Sequence, residues 1–352
     1  MKNEYQSNGR KAAVLVAGSW GTALAAVLCD NGYDVHIWTR NETQAAEINA
    51  SHSNNRYLPG CMLPRTLKAT AIMSDALEGA EIVLFTSPSS AMREVAKQAA
   101  PFLPANALVV HATKGFESDT LNRMTTVLSE ELGRPEDSMV VLSGPSHAEE
   151  VARRQPTTVV VASADQSCAE QAQDAFINAY FRVYTNPDVI GVEVAGAIKN
   201  IIALGAGLSD GLGFGDNAKA ALLTRGLAEI SRLGTAMGAN TLTFAGLAGV
   251  GDLVVTSTSK HSRNWRAGSM LAEGLQLEEV LSRMGMVVEG VRTTMAARKL
   301  AARYEVEMPI AEQLYQVLFE GCAPKAAVGL LMGRGRTHES EQVAQDWGLH
   351  QS

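Results

Sequence analysis

The sequence predicts an α/β chain: a mainly parallel sheet covered by helices on both faces, followed by an all-α C-terminal domain. From Ala12 to about Thr185, short runs rich in Val, Ile and aromatic residues alternate with helix-length segments. Runs apolar on both faces are what strands buried on both sides of a parallel sheet require. After "NPDVIG" such runs become scarce, and Ala, Gly and Leu recur at helical spacing. The length of 352 residues is too great for one typical domain and suits two. The expected divisions are a polar extension over 1–10, a sheet domain over 11–190 and a helical domain over 191–345.

The predicted strands lie, in order, in "AAVLVAG", "YDVHIWT", "EIVLFTS", "ALVVHAT", "MVVLSGP", "PTTVVVAS" and "FRVYTN". In the second part, the stretch from Asn217 to Gly238 sets Ala220, Leu223, Leu227, Ile230, Gly234 and Met237 on one stripe. Arg225, Glu229 and Arg232 point elsewhere, which predicts an amphipathic helix. With neither repeat nor low-complexity linker between them, the two parts are expected to share an interface and a cleft.

Composition narrows the function. Hydrophobic residues make up 46% and charged residues 19%, enough apolar material for sizeable cores. The net charge of −7 gives no electrostatic footprint for nucleic acid, so the expected ligand is a small molecule. Cys29, Cys61, Cys168 and Cys322 form no CxxC pair and lie near no His at metal spacing, so no metal site or disulfide framework is expected. The start "MKNEYQSNGRK" lacks an apolar signal region, and no apolar run is expected to reach the roughly 18 residues of a membrane span. A cytoplasmic protein is the expectation.

"VLVAGSWGTALA" carries the first chemical signal. A dinucleotide-binding βα turn uses a first glycine for the tight turn, a second for backbone approach to the pyrophosphate and a third for helix–strand packing. Gly18 and Gly21 supply the last two, and Val16 stands where the first belongs. The helix starting at Ser19 to Gly21 would offer free N–H groups to phosphate. A β-branched residue disfavours the conformations for which glycine is chosen, so Val16 is expected to weaken cofactor binding without abolishing it. Packing alone could also account for the small residues. The second strand ends "WTRN", where Arg40, with no acidic neighbour, favours NADP(H) or dual use unless it is only a solvated loop arginine.

"GVEVAGAIKNIIALGAG" places Lys199 among Ala195, Gly196, Ile202 and Ala203 on its helix. Held there, its amine would be desolvated and able to exchange a proton near neutral pH, as alcohol–ketone interconversion needs; otherwise it snorkels to solvent. Asp252, in "GLAGVGDLVVTST", either caps the next helix or orients Lys199. "SKHSRNWRAG" gathers Lys260, His261, Ser262, Arg263, Asn264 and Arg266, a set suited to a phosphate or to a solvated basic loop. Lys114 follows an apolar strand, where ligands bind in open α/β sheets. Gly144, Ser146 and the amide of Ala148 follow another, and His147 reads as a loop residue.

Seven motifs together, "AGSWGTALA", "TKGFE", "GPSHAEEV", "NPDVIGVEVAGAIKNIIALGAGLSDGL", "GFGDNAKAALLTRGLAEI", "GLAGVGDLVVTSTSKHSRNWRAG" and "VVEGVRTT", resemble the bacterial NAD(P)-dependent glycerol-3-phosphate dehydrogenase family. The similarity runs in order from about Lys11 to about Gly333. It implies a Rossmann-type sheet domain, NADP(H) or NAD(H) as cofactor, and hydride transfer between sn-glycerol 3-phosphate and dihydroxyacetone phosphate for phospholipid synthesis. By the same resemblance Lys199 handles the proton at C2, with Asp252 beside it on the substrate. Lys114, Gly144 and Ser146 would hold the glycerol phosphate from the other side, and Ser262, Arg263 and Asn264 its phosphate. Gly18, Ser19, Trp20, Gly21, Arg40, Tyr57, Lys114, Ala148, Arg263, Val287 and Glu289 would meet the dinucleotide. The resemblance also suggests a homodimer. The chain departs from the family at Val16, at Ser257 where cysteine is frequent, and at Met295 where lysine is frequent. A specialised relative acting on another small phosphorylated or phosphonate alcohol, and a catalytically silent nucleotide-binding protein, are the alternatives.

Overall fold

The computed structural model describes residues 9–336 and 338–339; the expected N-terminal extension falls almost wholly outside them, as does the end of the helical division at 345. The first part runs β1 (Lys11–Leu15), α1 (Ser19–Asp30), β2 (Asp34–Trp38), α2 (Glu42–Ser51), β3 (Lys68–Thr70), α3 (Met73–Leu77), β4 (Ile82–Phe85) and α4 (Met92–Ala99). It continues with β5 (Leu108–His111), α5 (Met124–Leu132), β6 (Met139–Ser143), α6 (Ala148–Ala152), β7 (Thr157–Ala162), α7 (Gln166–Phe176) and β8 (Phe181–Asn186). The rest is helical: α8 (Val189–Gly211), α9 (Asp216–Ala236), α10 (Asp252–Thr258), α11 (Arg263–Ala272), α12 (Leu277–Met284), α13 (Glu289–Arg303), α14 (Pro309–Phe319) and α15 (Pro324–Met332).

The eight strands form one sheet in the order β3-β2-β1-β4-β5-β6-β7-β8, parallel except for β7 against β6. This is the Rossmann-type order, and it reverses direction between β1 and β4. Seven strands coincide with the apolar runs of the sequence. The eighth, β3, has only three residues and a single neighbour, too little for a periodic signal. Successive residues of β1 feed opposite faces: Ala12 and Val14 join Val35, Ile37 and Leu84 on one, while Ala13 and Leu15 join Trp38, Val83 and Phe85 on the other. Edge strand β8 alternates buried and exposed residues, as a strand with one solvated face should.

Helix α8 is buried from Gly191 to Ser209 and forms the axis of the helical part, with α9, α10, α11 and α13 around it. It corrects the expectation about apolar runs, being long and apolar enough to cross a bilayer by length and composition; 89% of its apolar window is buried inside the fold. It is a core helix, apolar all round because it is covered all round. Its cluster includes Val141, Val160 and Ala162 of the sheet, so one hydrophobic core joins sheet and helices.

The apolar stripe of α9 is rotated from its expected position. Ala220 is exposed and the buried set is Gly226, Glu229, Ile230, Leu233 and Gly234. Glu229, expected to face away, is buried because its carboxylate accepts from the N–H groups of Ile310 (2.6 Å) and Ala311 (3.2 Å) at the start of α14. A helix start buried under another helix needs such an acceptor.

Candidate active site

The carboxyl ends of β1, β4, β5 and β6 carry the candidate residues: the glycine turn follows β1, Ser89 follows β4, Lys114 follows β5 and Gly144 follows β6. At the first of them, Val16 adopts φ +86, a conformation that a β-branched residue holds only at a cost of about 1–3 kcal/mol. Its half-buried side chain packs back on the core of Val83 and Phe85. Gly21 is obligatory, because a Cβ there would lie 2.4 Å from both the Val16 carbonyl oxygen and Thr86 Oγ1. A Cβ on Gly18 would meet nothing within 4 Å, so its surface is open. Ala17, Gly18, Ser19, Trp20 and Gly21 make no backbone N–H hydrogen bond within the described residues. Those free donors, at the positive end of α1, fit a pyrophosphate.

Around this turn, Ser19 Oγ donates to the Tyr57 carbonyl (2.7 Å), and the Arg56 guanidinium lies over the Tyr57 ring. The indole of Trp20 packs on the sheet core, its Nε1 buried with no partner among the described residues. Arg40 is exposed just beyond β2. Glu289, first residue of α13, accepts from Ser89 N (3.3 Å) and Ser89 Oγ (3.0 Å) beyond β4, with half-buried Val287 just before it. Burial raises the Glu289 carboxyl, and the nearby Arg263 charge acts against that.

The chemical centre is a buried chain of alternating charge. Lys199 Nζ donates to Asp252 Oδ1 and to Thr256 Oγ1 (2.8 Å), while Lys114 Nζ donates to Asp252 Oδ2 (2.8 Å) and lies 3.5 Å from the Gly144 carbonyl. Lys199 is 4% exposed and Asp252 1%, so the lysine does not snorkel. Asp252 is the first residue of α10, but its carboxylate takes two ammonium groups instead of capping the helix. Burial pulls the Lys199 amine down to about 7 against the attraction of Asp252, with Lys114 pushing the same way as burial. Burial alone would raise Asp252; the two lysine charges outweigh it and the net shift is downward. An amine poised near neutrality beside a fixed carboxylate can give or take a proton at physiological pH.

Gly144, at φ +128, leaves no space for a Cβ, which would come 3.0 Å from Val159 Cα, and its carbonyl also accepts from Ser146 Oγ (2.9 Å). Ala148 begins α6 after His147, whose ring Nε2 is 3.3 Å from the Val255 carbonyl. Burial and, less strongly, the Lys199 charge lower the His147 pKa against the pull of the Val255 carbonyl, a net lowering that favours the neutral ring. Ser262 caps α11 by accepting from Trp265 N, and Arg263 is exposed at its first position. The Asn264 side chain is committed inward: its Nδ2 donates to Asn200 Oδ1 (2.8 Å) and its Oδ1 accepts from Gly290 N (2.8 Å). It therefore ties α11 to α8 and α13, and what it still presents outward is its free helix-start N–H.

Thr256 was missed by the sequence reading, although it lies one helical turn from Asp252 on the same face, a spacing that could have disclosed it. Ser89 was also missed, and nothing local in "SPSS" marks it. Ser257 is fully buried and its hydroxyl has no partner among the described residues. Met295 is exposed at 40%, away from these contacts. Among the described residues no group of three or more His, Cys, Asp or Glu converges as a metal site would.

Comparison with known proteins agrees with this geometry. Residues 11–169 match the family profile described as NAD-dependent glycerol-3-phosphate dehydrogenase N-terminus, and residues 188–329 match that of its C-terminus. A protein of Pelotomaculum thermopropionicum named glycerol-3-phosphate dehydrogenase (NAD(P)+) is 59% identical over 335 residues, 95% of this chain and 96% of its own length. One of the same name from Bacillus subtilis is 56% identical over 337 residues, 95% of this chain and 97% of its own. The crystal structure of glycerol-3-phosphate dehydrogenase from Coxiella burnetii superposes with a TM-score of 0.88 at 40% identity, covering 94% of this chain and all of the other. Glycine turn, buried lysine–aspartate–lysine chain and two matched halves lead to one conclusion: the chain belongs to the NAD-dependent glycerol-3-phosphate dehydrogenase family.

Proposed function

We propose that the chain interconverts sn-glycerol 3-phosphate and dihydroxyacetone phosphate with NADP(H) or NAD(H), using Lys199 as the group that exchanges a proton with the C2 oxygen. The observation that carries the assignment is the buried contact of Lys199 with Asp252, with the amine near neutrality. A nicotinamide held at this site would supply or accept the hydride at C2.

The residues divide the remaining work. As an ammonium, Lys199 stabilises negative charge growing on the C2 oxygen and delivers its proton; in the reverse direction the neutral amine takes it. Asp252 holds Lys199 and Lys114 in register, and Lys114 with Gly144 and Ser146 fixes the substrate from the sheet side. Arg263, the Ser262 hydroxyl and the free N–H at the start of α11 receive the phosphate, so that binding energy aligns C2 with the nicotinamide. Gly18, Ser19, Trp20 and Gly21 receive the pyrophosphate. Arg40, Tyr57, Lys114, Ala148, Arg263, Val287 and Glu289 complete the dinucleotide site. The proposal extends to a division of the chain near residue 190, to a cytoplasmic homodimer, and to a role in phospholipid synthesis.

The test follows NADPH and NADH oxidation with dihydroxyacetone phosphate, then with other small phosphorylated ketones. Turnover with dihydroxyacetone phosphate is expected, together with a loss of about 10²–10⁴ in kcat for Lys199→Ala. Preference for another ketone would move the assignment to a relative with a different substrate, and undiminished turnover in Lys199→Ala would remove the lysine from the mechanism.

A further inference from the structure

Beneath the valine-bearing turn lies a set of polar side chains to which neither the sequence motifs nor the family resemblance gives a role. The Ala17 carbonyl oxygen accepts two amide donors, Gln44 Nε2 at 2.7 Å and Asn54 Nδ2 at 3.0 Å. Asn54 is fully buried; its Nδ2 also donates to Thr22 Oγ1 (2.8 Å) in α1, and its Oδ1 accepts from Gln44 Nε2 (3.1 Å). Gln44 Oε1 in turn accepts from Thr39 Oγ1 (2.6 Å). One residue earlier, the Val16 carbonyl oxygen is 2.9 Å from Thr86 Oγ1. Two consecutive carbonyls are thus anchored inside the protein.

The consequence follows from peptide geometry. The described residues contain no cis peptide, and in a planar trans peptide the C=O of one residue and the N–H of the next point in opposite directions. With the Val16 and Ala17 carbonyls drawn inward, the N–H groups of Ala17 and Gly18 are turned outward, beside the free donors of Ser19 and Trp20 at the start of α1. Glycine would reach φ +86 at no steric cost; valine resists it, and a turn with valine needs its carbonyls held.

We propose that Asn54 and Gln44 are positioning residues of the dinucleotide site, holding the Ala17 carbonyl so that the turn keeps its anion-receiving form although Val16 disfavours it. The inference rests on the reading that this turn receives the pyrophosphate. It also changes what Val16 implies: the valine makes the turn dependent on the side chains beneath it.

The experiment is a double-mutant cycle on the full chain, reading the dissociation constant of NADPH by its fluorescence. Asn54→Leu removes both the amide donor and the amide acceptor and is expected to weaken NADPH binding about tenfold, as loss of one or two hydrogen bonds implies. In a Val16→Gly background, where the positive φ has no steric penalty, the same substitution is expected to weaken binding by less than about threefold. Gln44→Met, at a half-buried position, is read in the same way and carries the test if circular dichroism shows Asn54→Leu unfolded. Equal losses in the two backgrounds would mean general structural damage and would overturn the coupling to Val16; no loss from either substitution would overturn the positioning role. Gly18→Val separates this outcome from failure of the underlying reading, since its side chain enters open space above the turn. If Gly18→Val leaves NADPH affinity intact, the turn is not the pyrophosphate site. If it abolishes binding while Asn54→Leu and Gln44→Met do not, only the positioning role is lost.

Discussion

Replacing Asp252 by asparagine keeps the shape of the active site and removes one negative charge from between two lysines. In the natural chain burial lowers Lys199 to about 7 while Asp252 pulls the other way and Lys114 adds to the lowering. A contacting opposite charge raises an amine pKa by about 1–3 units, so its loss should carry Lys199 well below neutrality. Reduction of the ketone needs the ammonium, and its rate falls as pH rises through the pKa of that group. With a drop of about two units, the protonated fraction at pH 7.5 falls about 75-fold, and the alkaline limb of kcat for reduction moves about two units to lower pH. The oxidation direction needs the free amine, so its acidic limb also moves to lower pH. Stability follows the same sign: uncompensated ammonium groups cost about 3–5 kcal/mol when buried, and the cost is relieved as Lys199 deprotonates. The melting temperature of Asp252→Asn should therefore fall most at acidic pH. Both limbs are measured by steady-state rates with NADPH or NADP+ across pH 5 to 10. A uniform loss of activity with neither limb displaced would refute the electrostatic argument and leave Asp252 a purely steric role.

Two further substitutions probe the frame that holds the site. Glu193 of α8 accepts from Arg123 Nη1 (2.6 Å) and Thr125 N (2.8 Å) and lies 3.2 Å from His111 Nε2. Burial would raise this carboxyl, but His111, Arg123 and the Thr125 N–H outweigh it and hold it down at about 2, so its stabilising contribution is present above pH 4.5 and is lost as pH falls toward 2. Glu193→Gln should cost about 3 kcal/mol in urea unfolding at pH 7, with the gap narrowing below pH 4.5; a gap constant with pH would contradict the linkage. Ser257→Cys should stabilise the chain by about 1 kcal/mol, because a thiol tolerates the buried, unpartnered position better than a hydroxyl does. Lower stability of that variant in chemical denaturation would show that the hydroxyl finds a partner after all.

Much of the sheet was legible because most of its strands are apolar on both faces and bounded by turns, and β3 escaped because an edge strand of three residues has no period. The site was legible in pieces. Lys199, Asp252 and Lys114 stood out as charged residues beside small or apolar neighbours, but each had an ordinary alternative in its own segment: a snorkelling amine, a helix cap, a strand-end loop. The alternatives fell only when three segments separated by 53 and 138 residues converged on one carboxylate. Asn264 shows the reverse, since it belongs to a phosphate-like loop by local composition while its side chain is spent holding α8 and α13 together.

What the sequence by itself determined is local in origin: the alternation that makes a parallel sheet, the helical spacing beyond residue 190, the small residues at the first turn and the anomaly of a valine among them. Only the tertiary structure decided which polar atoms were paired. It turned Glu229 inward to cap a distant helix, closed Asp252 between two amines, and set Asn54 and Gln44 under the carbonyl of Ala17. The physical reason is that backbone propensity and hydrophobic periodicity act over a few residues, whereas the cost of burying a polar group is settled by whichever partner folding brings within about 3 Å, however far away it lies in the chain.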